Sequence, residues 1–205
     1  MKKTLFIVMT IALVLILSGC ASSYKPINPM ALNFDTKQES ENIEFKYSYN
    51  VLQQAGNKKY TKKEVLNNIK IVGVKITNKT DKEISVSDDL EFYAGEKVIN
   101  LVAPEKYVKT LNQSVGAHFF YLLLTPLKLV SSGSNGKVSE LPIGFALGPG
   151  LTLINAATAG SANKGLSEEL TTNNILGKTI AAGEELHGLI AIRDIGFQPL
   201  SVKLK

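Results

Sequence analysis

Residues 69–77 have the sequence IKIVGVKIT, which is the strongest strand signal in the chain. Apolar residues fill most of its positions, as expected for a strand buried in a sheet. Gly73 lies in the middle of this stretch. Because glycine weakens a strand interior, its presence predicts a β-bulge there.

Further strands are predicted on both sides of this stretch. Residues 43–52, IEFKYSYNVL, alternate apolar and polar positions, and residues 90–102, LEFYAGEKVINLV, predict a hairpin. Near the C-terminus, residues 186–194 predict a central strand, and LSVKLK at 200–205 alternates again. Strands at both ends without βαβ spacing predict a mainly β fold, α+β by content. The expected architecture is an immunoglobulin-like antiparallel β-sandwich with an inserted apolar helical segment.

The inserted segment covers residues 112–176, approximately, and shows no strand pattern. Its residues 141–160, LPIGFALGPGLTLINAATAG, contain no charge and have the length of a membrane-spanning helix. The triplet Gly148, Pro149 and Gly150 interrupts this run. Because freed backbone groups are costly in hydrocarbon, the triplet predicts an irregular lead-in followed by a shorter helix.

A helix is predicted over residues 151–170, and its small and apolar residues recur at three- and four-residue steps. This spacing makes it a candidate interaction helix, for a protein partner or for self-association. The alternative is that the helix packs on its own domain. The residues concerned are Leu151, Ile154, Ala159, Ala162, Leu166 and Leu170.

The N-terminus predicts export. Lys2 and Lys3 precede an uncharged run, so residues 1–19 are predicted to be a signal peptide. The run ends in the tetrapeptide Leu17, Ser18, Gly19 and Cys20, which resembles the lipobox of bacterial lipoproteins. The resemblance implies cleavage between Gly19 and Cys20, diacylglycerol on the Cys20 thiol and an acylated new amine. The alternative is an ordinary N-terminal membrane anchor that contains a cysteine.

The cysteine count limits the chemistry of the exported protein. Cys20 is the only cysteine, which excludes a disulfide framework and a cysteine-based metal cluster. Residue 21 is alanine rather than aspartate. In a bacterium with two membranes, similarity to sorted lipoproteins then implies the outer membrane.

A second resemblance concerns layout alone. PIGFALGPG, INAATAGSANKGLSEEL, AAGEELHGLIAI and PLSVKLK are similar in order to segments of uncharacterised bacterial lipoproteins with a terminal β-hairpin. This likeness covers residues 141–205, approximately. It implies no activity, ligand or catalytic residue.

The expected organisation of the mature chain is a lipidated tether at 20–41 followed by one domain at 42–205. Loss of Lys2 and Lys3 lowers the formal charge from +5 to +3. This weak basic excess argues against a nucleic-acid partner. The expected membrane contact is through the lipidated Cys20.

No residue pattern predicts catalysis, a metal or a cofactor. The two histidines, His118 and His187, lack recognisable co-ligands, and the paired carboxylates point apart on a strand or a helix. The sequence therefore predicts a non-enzymatic, lipid-anchored envelope protein with a structural or interaction role. The alternative is an accessory module whose insertion holds a lipid or hydrophobic peptide. A groove would form a cavity between residues 115–130 and 151–170, whereas an interaction surface would leave them exposed.

Overall fold

The structure is a computed structural model and describes residues 19–34, 36–132, 138–193 and 196–205. The chain divides into two compact units. The insertion unit comprises Met1–Ser23 and Gln113–Asn163, and the sheet unit comprises Tyr24–Asn112 and Lys164–Lys205. Of the predicted signal peptide, residues 1–18 lie outside the described residues.

The described residues form antiparallel strand pairs and four α-helices, joined by short 3-10 segments. In chain order the elements are a 3-10 segment (Pro29–Ala31), β1 (Thr36–Glu39), β2 (Ile43–Ser48), α1 (Val51–Gln54), α2 (Lys58–Leu66), β3 (Ile69–Asn78), β4 (Ile84–Ser85), β5 (Leu90–Ala94), β6 (Lys97–Ile99), a 3-10 segment (Pro104–Lys106), α3 (Val108–Leu111), a 3-10 segment (Gly116–Leu124), β7 (Leu129–Ser132), β8 (Val138–Leu141), α4 (Gly144–Thr172), β9 (Thr179–Ile180), β10 (Glu185–Arg193) and β11 (Leu200–Leu204).

The sheet unit contains a four-stranded sheet in the order β1-β2-β3-β10 and a three-stranded sheet in the order β11-β5-β6. Strand β3, the stretch with the strongest strand signal, pairs on both sides, so Ile76 lies between Phe45 and Leu186. Inward side chains of the two sheets pack in one buried cluster, which includes Phe45 and Val74 from one sheet and Phe92 and Val202 from the other. The protein is therefore a mixed α and β fold with antiparallel sheets.

Strand β10 was predicted to be central, and this prediction is wrong. Among the described strands it pairs with β3 alone, and non-strand backbone covers its other edge. Leu189 N–H donates to Asn173 O (2.7 Å), and Val102 N–H donates to Ala191 O (2.7 Å). These bonds satisfy an edge that would otherwise be open, which explains why β10 is as apolar as an interior strand.

The bulge predicted at Gly73 is absent from the described β3. Gly73 pairs in register with Ser48 on one side and Leu189 on the other. A Cβ at Gly73 would overlap Leu32 Cδ1 and lie 3.2 Å from Val51 Cγ1. Glycine is therefore present because neighbouring side chains approach the strand closely, which is the other reason for glycine in a strand.

The insertion unit contains more regular structure than the sequence predicts. Residues 129–141 include the antiparallel pair β7–β8, although this region showed no strand pattern. Helix α4 begins at Gly144 and continues through Pro149, so the predicted interruption is also wrong. No helix among the described residues is long and apolar enough to cross a membrane.

The triplet at 148–150 is helical, and two glycines at the start of α4, Gly144 and Gly148, lie where residues 124 and 125 approach the helix. A Cβ at Gly144 would overlap the carbonyl oxygens of Leu124 and Thr125, and one at Gly148 would lie 2.5 Å from Thr125 Oγ1. Gly144 and Gly148 are four residues apart, so they form one smooth strip on α4. Pro149 removes one N–H from the helix. In this stretch glycine provides a packing surface and does not end the helix.

The predicted tether at 20–41 contains ordered, buried residues. Ile27 and Pro29 are buried, and β1 pairs along its length with β2. The compact insertion unit ends at Asn163, within the insertion predicted at 112–176, and Lys164 begins the second segment of the sheet unit. The last turns of α4 therefore belong to the sheet unit.

Replacing Gly188 in β10 by alanine is expected to lower the free energy of unfolding by about 1–3 kcal/mol, as overpacking does. The new Cβ would overlap Ile175 and lie 2.6 Å from Asn173 O, the acceptor that covers the β10 edge. Gly160→Ala is the matched control, because no atom lies within 4 Å of its added Cβ. Removal of a helical glycine should stabilise the protein by up to about 1 kcal/mol. Urea unfolding measures the change in free energy of unfolding for each variant. Equal changes for Gly188→Ala and Gly160→Ala would contradict the close approach described at Gly188.

Candidate functional site

Cys20, the predicted lipid attachment residue, lies in the insertion unit and is partly exposed. The hydroxyl of Tyr121 is hydrogen-bonded to its thiol. A Cβ on Gly19, the residue before the predicted cleavage point, would lie 3.1 Å from the same hydroxyl. Burial raises the pKa of the Tyr121 phenol, and the neighbouring Cys20 thiol acts in the same direction. The cysteine is therefore held against the 3-10 segment Gly116–Leu124.

Tyr121 is itself oriented by a buried histidine. The rings of His118 and Tyr121 stack with centroids 6.1 Å apart and planes 7° from parallel. His118 is 5% exposed, so it packs inside the insertion unit. Within the described ranges, no group of three or more His, Cys, Asp or Glu residues is arranged to hold a metal ion.

Two buried amide side chains, Gln113 and Asn155, hold the residues that follow Cys20, and a third amide, Asn163, holds Gln113. Ala21 N–H donates to Asn155 Oδ1 (2.6 Å). Gln113 Oε1 accepts from Ser22 N–H (3.1 Å), and Gln113 Nε2 donates to Ser22 O (2.7 Å). Asn163 Oδ1 accepts from Gln113 N–H (2.8 Å), and Asn163 Nδ2 donates to Gln113 O (2.9 Å). We call Gln113, Asn155 and Asn163 the amide clamp.

A second set of contacts holds residues 24–27 within the sheet unit. Glu169 accepts from Tyr24 Oη (2.6 Å) with one oxygen and from Ile27 N–H (2.7 Å) with the other. Asn57 Oδ1 accepts from Lys25 N–H (2.9 Å), and Asn57 Nδ2 donates to Lys25 O (2.7 Å). Burial raises the pKa of Glu169 and that of Tyr24, whose hydrogen bond to Glu169 raises it further. Backbone that lacks a helix or strand partner is thus satisfied by side chains.

The predicted interaction helix does not present one continuous face. Ala159, Ala162, Leu166 and Leu170 are buried, whereas Ile154 is 66% exposed and Leu151 is intermediate. The buried members are core residues, as the packing alternative expected. The exposed end is the part that remains available to a partner.

The insertion unit exposes many large apolar side chains, and we call this set the apolar surface. Thirteen large apolar side chains of this smaller unit are exposed, against six in the described part of the sheet unit. Large exposed apolar side chains gathered in one small unit make that unit a candidate contact surface. Its members are Phe119, Phe120, Leu122, Leu123, Leu127, Leu129, Val130, Val138, Leu141, Phe145, Leu147, Leu153 and Ile154.

Few charged side chains are present among the described residues of the same unit. They are Lys128, which precedes β7, and Glu140 of β8, and the two form an ion pair of 2.8 Å. Within the described part of the unit, these two charges therefore cancel.

Two cavities occupy the sheet unit. One of about 360 Å³ lies beside the β5–β6 hairpin, lined by Val86, Phe92 and Leu101 among others. One of about 210 Å³ is lined by residues that include Glu64, Lys70 and Phe197. Both are lined by residues of the sheet unit.

Comparison of the chain with protein-family models, with curated proteins and with solved structures finds no match.

The sequence analysis missed the amide clamp and Glu169. A signal for part of the clamp exists, because Asn155, Ala159 and Asn163 follow at four-residue steps on one side of α4. Asparagine within a small, apolar helix face indicates a buried polar contact. The identity of the partner depends on chain segments far away in sequence, so the pattern could not supply it.

Gln113→Ala should release the segment after Cys20. The substitution leaves Ser22 N–H and C=O without their partner, at a cost of about 1–3 kcal/mol for buried polar groups. Hydrogen exchange at Ala21 and Ser22 should accelerate, measured by mass spectrometry of N-terminal peptides. Gln53→Ala, which truncates an exposed glutamine of α1, is the control and should leave that exchange unchanged. Unchanged exchange in Gln113→Ala would show that the clamp does not hold these residues.

Glu169 should make stability fall as pH rises. Its pKa in the folded protein is raised above the ordinary value of 4.5, so the folded state binds this proton more tightly than the unfolded state. The stabilisation is present at acidic pH and is lost as pH rises through the folded pKa. The free energy of unfolding of wild type, relative to that of Glu169→Gln, should therefore decrease from acidic to neutral pH.

Two further variants complete the Glu169 experiment. Glu169→Ala removes both acceptors and should destabilise by about 1–3 kcal/mol. Glu168→Gln neutralises an exposed neighbour, 65% accessible, and should leave the pH dependence as in wild type. A difference between wild type and Glu169→Gln that grows with pH would contradict the assigned direction.

Proposed function

We propose that the chain is a lipid-anchored protein of the bacterial cell envelope with a structural or interaction role and no enzymatic one. The observation that carries the proposal is the Leu17 to Cys20 tetrapeptide combined with the position of Cys20. The thiol is partly exposed and lies in the unit that exposes the apolar surface. Processing before Cys20 would leave its acylated amine next to the amide clamp.

The exposed apolar surface supports the interaction role over the groove alternative. A groove that holds a lipid or hydrophobic peptide would enclose apolar side chains of the insertion in a cavity. Instead Phe120, Leu123 and Phe145 are between 70% and 74% exposed. These side chains are available to a flat or extended partner.

We also propose that the sheet unit is an immunoglobulin-like antiparallel β-sandwich. The common core of the four-stranded and three-stranded sheets supports this architecture. Val202 N–H of β11 also donates to Gln38 Oε1 of β1 (3.1 Å), which links an edge of each sheet.

The proposed location is the outer membrane where the organism has two membranes. Alanine at position 21, in place of aspartate, supports it by resemblance to sorted lipoproteins. Several acyl chains on one residue give stable anchoring, since each buried methylene contributes about 0.8 kcal/mol.

Lipidation can be tested in a bacterial host that expresses the full chain. Wild type should incorporate labelled palmitate and lose residues 1–19, both measured by intact mass after detergent extraction. Cys20→Ala should remain unlabelled and uncleaved, because the lipid is attached to the thiol before cleavage. Membrane fractionation of the same cells reports the location.

A displaced cysteine is the matched control. The double variant Cys20→Ala and Ser23→Cys keeps one cysteine but moves it three residues beyond the tetrapeptide. It should also remain unlabelled. Labelling of this variant, or an unmodified Cys20 in wild type, would overturn the lipoprotein proposal.

A further inference from the structure

The anchor and the apolar surface lie in the same unit. The Cys20 thiol is hydrogen-bonded to Tyr121, and Tyr121 belongs to the 3-10 segment Gly116–Leu124. Phe119, Phe120 and Leu123 of that segment are 56%, 74% and 73% exposed. Acyl chains attached to Cys20 would therefore begin beside exposed aromatic and aliphatic side chains.

The amide clamp leaves little free chain between the anchor and the unit. Ala21 and Ser22, the two residues after Cys20, are bonded to Asn155 and Gln113. A flexible tether would let a lipidated domain stand away from the bilayer. With Ala21 and Ser22 bonded to the unit, an acylated Cys20 would leave the segment Gly116–Leu124 close to the lipid that holds it.

The charge distribution fits the same position. Charged side chains are costly at the boundary between headgroups and acyl chains, whereas Phe, Leu and amphipathic tyrosine are favoured there. The described insertion unit carries one neutralised pair, Lys128 with Glu140. Tyr121 adds a partly buried ring with a polar hydroxyl at the anchor.

We propose that the apolar surface of the insertion unit lies in the interfacial layer of the bilayer that holds the acyl chains of Cys20. The proposal deepens the proposed function and rests on its lipid anchor. The occupant of the surface is lipid. A second copy of the chain, or a protein partner, would leave the surface out of contact with lipid and is distinguished below.

Single-tryptophan reporters test the proposal, because the chain contains no tryptophan. The variants are Phe120→Trp and Phe145→Trp, with Val98→Trp on β6 as the control at an exposed site of the sheet unit. Each is made as wild-type lipoprotein reconstituted into phosphatidylcholine vesicles, and as the mature chain with Cys20→Ser added to the same vesicles. Zwitterionic lipid avoids electrostatic attraction of the lysines of α2.

The expected result is a shift of emission to shorter wavelength at positions 120 and 145, with quenching by brominated acyl chains. Position 98 should keep water-like emission. Water-like, unquenched emission at 120 and 145 in lipidated protein would overturn the proposal. Shielded emission without vesicles, together with a dimer in size-exclusion chromatography, would also overturn it and assign the surface to a second copy.

Charge substitution supplies an independent readout. In the Cys20→Ser mature chain, Leu123→Glu and Phe145→Glu should each weaken vesicle partitioning roughly tenfold or more, because one large apolar side chain no longer enters lipid. Leu66→Glu, at a side chain 76% exposed on α2, is the matched control and should leave partitioning unchanged. Equal partitioning of all three variants would overturn the proposal.

The two proposals fail in different ways. An unmodified Cys20 in wild-type cells refutes the lipid anchor, whatever the vesicles show. A modified Cys20 with no contact between lipid and positions 120 and 145 leaves the anchor intact and refutes the bilayer position of the apolar surface.

Discussion

Several backbone groups of residues 21–27 have no helix or strand to pair with, and side chains from distant parts of the chain satisfy them. Gln113 hydrogen-bonds the backbone of Ser22, and Asn155 that of Ala21. Glu169 accepts from the backbone of Ile27, and Asn57 donates to that of Lys25. An unpaired buried backbone group costs as much as a lost hydrogen bond, so these contacts come as a set. Within the insertion unit, the contacts of Gln113 and Asn155 with Ser22 and Ala21 hold the chain directly after Cys20, the predicted anchor.

The insertion unit combines features that conflict in a freely soluble domain. Many of its apolar side chains are exposed, the two charged side chains among its described residues form a pair, and α4 nevertheless packs closely on neighbouring backbone. The strip formed by Gly144 and Gly148 lets α4 approach the backbone at Leu124 and Thr125 closely. Close packing of backbone against backbone leaves the large side chains outside, which is how a small unit can be both ordered and apolar on its surface.

Period-two alternation predicted β2 and β11 in nearly the right places, and a continuous apolar run predicted β3, which is buried on both faces. It failed where burial has another cause. Strand β10 is apolar because loop backbone covers its edge, and the four residues of β7 are exposed, so neither carries the expected signal. Asn50 adopts a left-handed φ of 58° and begins α1, which shortens the strand predicted at 43–52.

The sequence by itself determined the antiparallel β character of the sheet unit, the apolar insertion and the single cysteine at position 20. These depend on residue type and spacing along the chain. The tertiary structure alone decided that Gly148, Pro149 and Gly150 remain helical, that Ala159 is core while Ile154 is exposed, and that Gln113 holds Ser22. Each of these depends on which distant segment lies opposite a residue, and local spacing does not encode that partner.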